Sequence, residues 1–272
     1  MPVTVEYRGR IAIITLNIPE KLNALSSSGY FLLAKCMRDV ASNPEVVITV
    51  LTGRGRFFSS GAEIQRRPSA ARDQASSTEP APVRETQLRG LAHIIEVTEA
   101  FYTHPKLLIT ALNGPCVGLS AALVAYSDFI YAMPHVYLLC PFTYLGITAE
   151  GGSTALFSRR MGFKIAAEAL IMSKRIQCDD LVRCGFINEV FDTGKNVDKF
   201  LEKVLAVVDT SLSTKLNAFS MLEVKALMRK AGLPLLASQT VEETVGVVGS
   251  LARAQANAGD RAGGGQKATA RL

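Results

Sequence analysis

Leu107-Leu108-Ile109-Thr110-Ala111-Leu112 runs straight into Asn113-Gly114-Pro115-Cys116-Val117-Gly118 and on into Leu119-Ser120-Ala121-Ala122-Leu123-Val124-Ala125. The first six residues are an apolar run of strand length, Asn113-Gly114-Pro115 is a turn, and the small residues from about Leu119 suit a tightly packed helix. The same order occurs upstream. Ile11–Leu16 is β-rich, Pro19 and Asn23 mark a turn, and Ser26-Ser27-Ser28 can cap a helix to about Val40 with Tyr30, Leu33, Met37 and Val40 on its apolar face. Val47–Thr52 is a second apolar, β-branched strand followed by a glycine-containing loop. A polar, proline- and alanine-rich stretch, Gln65 to Val83, reads as a long loop, and a helix from about Glu85 to Tyr102 leads back to the opening segment.

Downstream, Phe129–Ala132 and Val136–Leu139 read as short strands. After Glu150 the pattern is helical almost throughout, with breaks near Gly162, Lys174, Gly185 and Pro234. The order predicts an α/β protein of repeated ββα units stacked as a spiral, with helices after them. Periodicity alone also allows an open α/β sheet. We expect a core over residues 1–200, a helical region over 201–256 and a flexible tail over 257–272. That tail ends Ala270-Arg271-Leu272, a conservative form of the Ser-Lys-Leu address read by the peroxisomal import receptor.

Composition narrows the function classes. Of 272 residues, 48% are apolar and 20% charged, a globular balance with no apolar run long enough to cross a bilayer. The Met1–Tyr7 start lacks a charged region followed by an apolar stretch, so it reads as a strand, not a secretory signal. The net charge of +6 owes part of its excess to Arg54, Arg56, Arg66, Arg67 and Arg72. These suit a phosphorylated small molecule or plain solvated surface, and only Phe57 and Phe58 accompany them, which gives nucleic-acid binding little support. Cys36, Cys116, Cys140, Cys178 and Cys184 are odd in number and lack CxxC spacing, as expected of reduced thiols and not of disulfides or a zinc site.

Two loops can offer backbone donors to an anion. One is Arg56-Phe57-Phe58-Ser59-Ser60-Gly61-Ala62-Glu63 and the other is Asn113 to Ala122. A helix start exposes unpaired N–H groups, and Gly61 and Gly118 let a ligand approach the backbone. Either loop taken alone also reads as a plain strand-to-helix turn. A single carboxylate stands out in Tyr144-Leu145-Gly146-Ile147-Thr148-Ala149-Glu150-Gly151-Gly152-Ser153-Thr154. Glu150 reads either as a helix-start glutamate favoured by the dipole or as a group that moves a proton. His93, His104 and His135 pair with no Ser or Cys by spacing. Ser59 and Ser60 lack a visible base, Asp128 reads as a turn-fixing residue and Glu63 as a surface charge. No cluster has metal-ligand spacing.

Ser60-Gly61-Ala62 after a strand, Asn113 to Gly118 before a small-residue helix, and Ser127-Asp128-Phe129-Ile130-Tyr131-Ala132 together resemble the crotonase (enoyl-CoA hydratase/isomerase) superfamily over roughly Val3 to Asn188. The resemblance implies the crotonase-type spiral of ββα units, trimers or dimers of trimers, an acyl-CoA thioester as substrate, and an oxyanion hole from the backbone N–H groups of Ala62 and Leu119. It also implies two glutamates in hydratases, at positions that are Ala122 and Phe142 here. Hydration is thereby disfavoured, and so are dienoyl-CoA isomerases, which carry carboxylates at the same two positions. Tyr137 to Thr154 and Leu119 to Ala125 resemble the fungal peroxisomal Δ3,Δ2-enoyl-CoA isomerases, in which the place of Glu150 holds the catalytic base.

That role would let one base move a proton between C2 and C4 of a bent acyl chain, through a dienolate held by Ala62 and Leu119 at about 3 kcal/mol per donor. No cofactor is expected, coenzyme A being part of the substrate. Two other readings stand beside it: another crotonase-type acyl-CoA enzyme of specialised metabolism, and a non-catalytic module that binds CoA esters.

Overall fold

The computed structural model describes residues 1–63, 83–212 and 215–263. Most of the Gln65–Val83 loop and the Ala270-Arg271-Leu272 terminus lie outside the described residues, as do Arg66, Arg67 and Arg72. Six strands form the main sheet: β1 (Val3–Arg8), β2 (Ile11–Leu16), β3 (Ile48–Gly53), β4 (Leu107–Leu112), β6 (Phe129–Ala132) and β9 (Glu189–Val190), in the order β1-β2-β3-β4-β6-β9. Only the β1–β2 hairpin is antiparallel, and the remaining pairs are parallel. Every residue of β3 and β4 is buried. This is why both read as unbroken apolar runs without alternation: parallel strands are covered on both faces.

A smaller sheet of β5 (Cys116–Val117), β7 (Tyr137–Leu139) and β8 (Ile176–Gln177) forms a second layer. Single bridges, Leu25 to Ala62 and Ser59 to Cys116, extend this layer backwards along the chain. Each turn of the chain thus lays down a long strand, then a short segment on the second layer, then a helix. The helices are α1 (Ser27–Ser42), α2 (Val83–Tyr102), α3 (Leu119–Val124) and α4 (Ser153–Leu170). This is the expected spiral, and the open-sheet alternative does not provide the second layer. The predicted Ser26 cap forms, its side chain accepting a hydrogen bond from Gly29 N at 3.2 Å.

The rest is α5 (Cys178–Arg183), α6 (Val197–Ser211), α7 (Ala218–Lys230) and α8 (Leu233–Gly263). The expected break near Pro234 falls at Ala231–Gly232, between α7 and α8, with Pro234 in the first turn of α8, where its missing N–H costs nothing. Two expectations need correction. The helix continues to Gly263, past the expected start of the tail at residue 257, since Ala252, Ala254, Ala256 and Ala258 favour helix. The region after Glu150 also contains β8 and β9, two-residue strands too short to leave a periodic signal. A kink at Gly162 interrupts α4, where a break was expected.

Among the described residues no helix is long and apolar enough to cross a membrane. All five cysteines are free thiols, and Cys184 alone is not buried.

Candidate active site

Two buried asparagines set the first loop. Asn23 Nδ2 donates to the carbonyls of Arg54 and Phe57, both at 2.9 Å, and Asn113 Nδ2 donates to Gly55 O at 2.8 Å. The segment after β3 is therefore pinned from two neighbouring turns of the spiral. Beyond it, Leu25 N donates to Gly61 O and Glu63 N to Leu25 O, both at 2.9 Å. This pairing turns the intervening Ala62 N–H outward, and it donates no hydrogen bond among the described residues. Leu119 is the first residue of α3, and its N–H is likewise without a partner there, as helix starts leave it.

The two free donors are neighbours because their loops touch. A Cβ on Gly61, whose φ is +91°, would lie 2.9 Å from Val117 O and 3.7 Å from Gly118 Cα. Any side chain there would drive the loops apart, so glycine is required. Beneath them runs a chain of hydroxyls. Tyr30 Oη lies 3.2 Å from Ser120 Oγ, and Ser120 Oγ lies 2.8 Å from Ser59 Oγ. Ser59 Oγ donates to Asn23 O at 2.9 Å and accepts from Gly61 N at 3.1 Å. Ser59 thus braces the loop and has no base beside it among the described residues, as expected for a structural hydroxyl.

Glu150 lies just before α4, on a turn made by Gly151 and Gly152 with φ of +74° and +71°. A Cβ on Gly151 would be 2.8 Å from Leu119 Cδ1 and 2.9 Å from Ala122 Cβ. The turn therefore packs on the start of α3, which brings Glu150 to the side of the Leu119 donor. Tyr126 Oη donates to Gly151 O at 3.1 Å, and a Cβ on Gly152 would fall 2.1 Å from the same oxygen. Both glycines are needed, for their left-handed backbone and for the space.

The Glu150 residue is 8% exposed, and its carboxylate accepts no hydrogen bond among the described residues. Burial, followed by the charge of Glu243, pushes its pKa from 4.5 up to about 7. A helix start would lower the pKa instead, so burial dominates at Glu150. Ala122 and Phe142 are both buried, and no second carboxylate stands at either position.

The remaining candidates stand apart from this turn or serve it indirectly. His104 is held by Thr49 Oγ1 at 2.8 Å, and burial drives its pKa down to about 3, so it stays neutral. His93 stacks on Tyr30 with ring centroids 5.6 Å apart, and His135 is exposed. Glu63 pairs with Lys21 at 2.7 Å near the surface. Asp128 does fix structure: it accepts from Leu108 N at 2.7 Å and pairs with Lys225 at 2.8 Å and Arg229 at 2.9 Å. Asp128, Lys225 and Arg229 line a 760 Å³ cavity between α4, α7 and the start of β6, and Glu150 is not among its lining residues.

Reading the sequence missed Glu243, which is buried on α8 and accepts from Gly152 N at 2.6 Å and Thr154 N at 2.9 Å. A signal existed. Thr240, Glu243 and Thr244 lie between Leu236 and Val247 at helical spacing, a polar patch in the middle of a buried stripe.

The family model described as Enoyl-CoA hydratase/isomerase matches residues 6–247. A protein of Pyricularia oryzae named Delta(3,5)-Delta(2,4)-dienoyl-CoA isomerase is 43% identical, over 90% of this chain and 90% of its own. A 3,2-trans-enoyl-CoA isomerase of Saccharomyces cerevisiae is 37% identical, over 74% of this chain and 73% of its own. A mouse protein named Enoyl-CoA delta isomerase 3, peroxisomal, is 30% identical, over 66% of this chain and 54% of its own. Among solved structures, an enoyl-CoA hydratase/isomerase from Pseudoalteromonas atlantica T6c superposes with a TM-score of 0.77 at 21% identity, covering 93% of this chain and 92% of that one, a likeness of fold. By the match along nearly its whole length, the chain belongs to the enoyl-CoA hydratase/isomerase family.

Proposed function

We propose that this protein is an enoyl-CoA isomerase that converts 3-enoyl-CoA to trans-2-enoyl-CoA, with Glu150 as its only proton carrier. The observation that carries the reading is one buried carboxylate that, among the described residues, accepts no hydrogen bond and packs beside a pair of backbone donors without partners. Glu150 takes a proton from C2, which the thioester acidifies. The negative charge moves onto the thioester oxygen, where the N–H groups of Ala62 and Leu119 receive it. The same carboxyl then returns the proton to C4. Its raised pKa suits both halves, because a base near 7 gives the proton back as readily as it takes it. Hydration would need a second acid–base group, and Ala122 and Phe142 supply none.

The test is an assay with 3-hexenoyl-CoA, following conjugated 2-enoyl product and 3-hydroxy product together. We expect the first only, and its loss by at least about a thousandfold in Glu150→Gln. Predominant hydration, or near-normal turnover by the variant, sinks the reading.

A second reading has specific support in the name of the Pyricularia relative: isomerisation of 3,5-dienoyl-CoA to 2,4-dienoyl-CoA. That reaction carries the proton from C2 to C6, beyond the short reach of a single carboxylate that serves C2 and C4. Comparing kcat/KM on the two esters separates the readings, and a preference for the dienoyl ester would displace the first.

The reaction as proposed uses no resident cofactor and belongs to the β-oxidation of unsaturated fatty acids. We extend the proposal to a peroxisomal setting, supported by the mouse relative's name, and to a homotrimer or homohexamer. Exposed Phe163, Ile171, Met172, Phe219, Leu227 and Met228 on and after α4 and on α7 support self-association. Co-localisation of an amino-terminally tagged chain with a peroxisomal marker, and sedimentation of the purified protein, test these two points.

A further inference from the structure

The Glu150 turn is held by a residue from the far end of the chain, and this contact has a chemical effect as well as a mechanical one. At the start of α4 the free N–H groups point toward a negative charge, and the nearest such charge in sequence is Glu150 itself. Glu243 on α8 occupies that place instead. Its Oε2 accepts from Gly152 N at 2.6 Å, and its Oε1 accepts from Thr154 N at 2.9 Å and Thr154 Oγ1 at 2.5 Å. The Thr154 hydroxyl also lies 2.8 Å from Gln239 Oε1. One hydroxyl proton serves one acceptor, and the shorter contact is the carboxylate.

We propose that Glu243 is a positioning residue of this site: by capping α4 in place of Glu150 it denies Glu150 the helix's hydrogen bonds and field, and so keeps that carboxylate a base strong enough to remove a carbon-bound proton. This deepens the isomerase reading and rests on it for its catalytic meaning.

Few other charges reach Glu150 among the described residues. Tyr30 on α1 and Cys140 after β7 face it, and burial raises the pKa of both, which keeps them neutral. The contacts of α3 with the turn are apolar, through Leu119 and Ala122, and Thr98 of α2 offers a hydroxyl near Gly151. Around Glu243 itself stand Tyr126, Thr154 and Gln239. Burial pushes Glu243 upward as well, while the bonds from Thr154, Gly152 and Ser153 pull it back toward the ionised form. The three hydrogen bonds that Glu243 accepts fit an ionised carboxylate, whose charge acts on Glu150.

The test compares Glu243→Gln, which removes the charge at nearly constant shape, with Glu243→Asp, which keeps it. In full-length protein carrying ¹³C-labelled glutamate carboxyls, the Glu150 resonance is assigned by its loss in Glu150→Gln and titrated from pH 4 to 9. We expect its midpoint to fall by about one pH unit in Glu243→Gln and to stay close to the parent value in Glu243→Asp. The acid limb of kcat/KM on 3-hexenoyl-CoA should move down with it, with kcat reduced severalfold and KM within about twofold. An unmoved Glu150 midpoint in a folded Glu243→Gln protein, whatever its thermal stability, overturns the inference. Absence of isomerase activity in the parent would instead sink the functional reading and leave the titration to decide the role of Glu243.

Discussion

Replacing Glu150 with Gln should make the protein more stable at alkaline pH, by an amount that the buried carboxylate fixes. Its pKa rises from 4.5 in the unfolded chain to about 7 in the folded one. At 1.36 kcal/mol per unit this is a linkage free energy of about 3 kcal/mol. The sign follows from proton counting. Between pH 4.5 and 7 the unfolded chain releases the Glu150 proton while the folded chain keeps it, so stability falls as pH rises through that window. Glu150→Gln has no such proton. Its advantage over the parent should grow from roughly 1 kcal/mol at pH 5 to about 3 kcal/mol at pH 8, or on the order of 5–10 °C in Tm for a chain of this size. Thermal unfolding of both proteins from pH 5 to 8.5, followed by circular dichroism, measures the gap. Any constant cost of burying the amide cancels when the change with pH is read. A gap that does not vary with pH would refute the argument, because it would mean that Glu150 ionises normally in the folded state.

Gly152→Ala places a methyl 2.1 Å from Tyr126 Oη at a φ of +71°, and should cost more than about 2 kcal/mol in denaturant unfolding while also abolishing turnover. Ser59→Ala removes the acceptor for Gly61 N and breaks the hydroxyl chain to Tyr30, so kcat/KM should fall about tenfold through a looser donor pair, measured by steady-state kinetics. Asp128→Ala strands Lys225 and Arg229 without their shared carboxylate; with Lys225 buried, the loss should reach about 3–5 kcal/mol, read as a lower unfolding midpoint.

The parts of the fold that could be read in advance are those whose physics is local. Leu107–Leu112 declares itself because a strand covered on both faces must be apolar throughout, and Ser26 declares a helix start because its oxygen meets a nearby N–H. The second layer was much less legible. Its segments are one to three residues long, and bridges such as Ser59 to Cys116 join positions whose partnership no periodicity encodes. The site divides in the same way. Glu150, Ala62 and Leu119 could be singled out by their surroundings and by resemblance. Glu243 could not, because a glutamate on a late helix looks like surface until its stripe is known to be buried. The Tyr30–Ser120–Ser59 chain likewise draws its members from three turns of the spiral.

Glu243 and Gly152 are 91 positions apart in the chain, yet one hydrogen bond between them completes the turn that carries Glu150. Every short motif named above is in place once residue 154 has been synthesised, but Glu150 has no fixed seat until α8 has docked. A nascent or truncated chain lacking that helix would hold both donor loops and the glutamate, with the turn at Glu150 unpinned. The seat of Glu150 is therefore a property of the folded whole, because a late helix must dock before a turn laid down 91 residues earlier is complete.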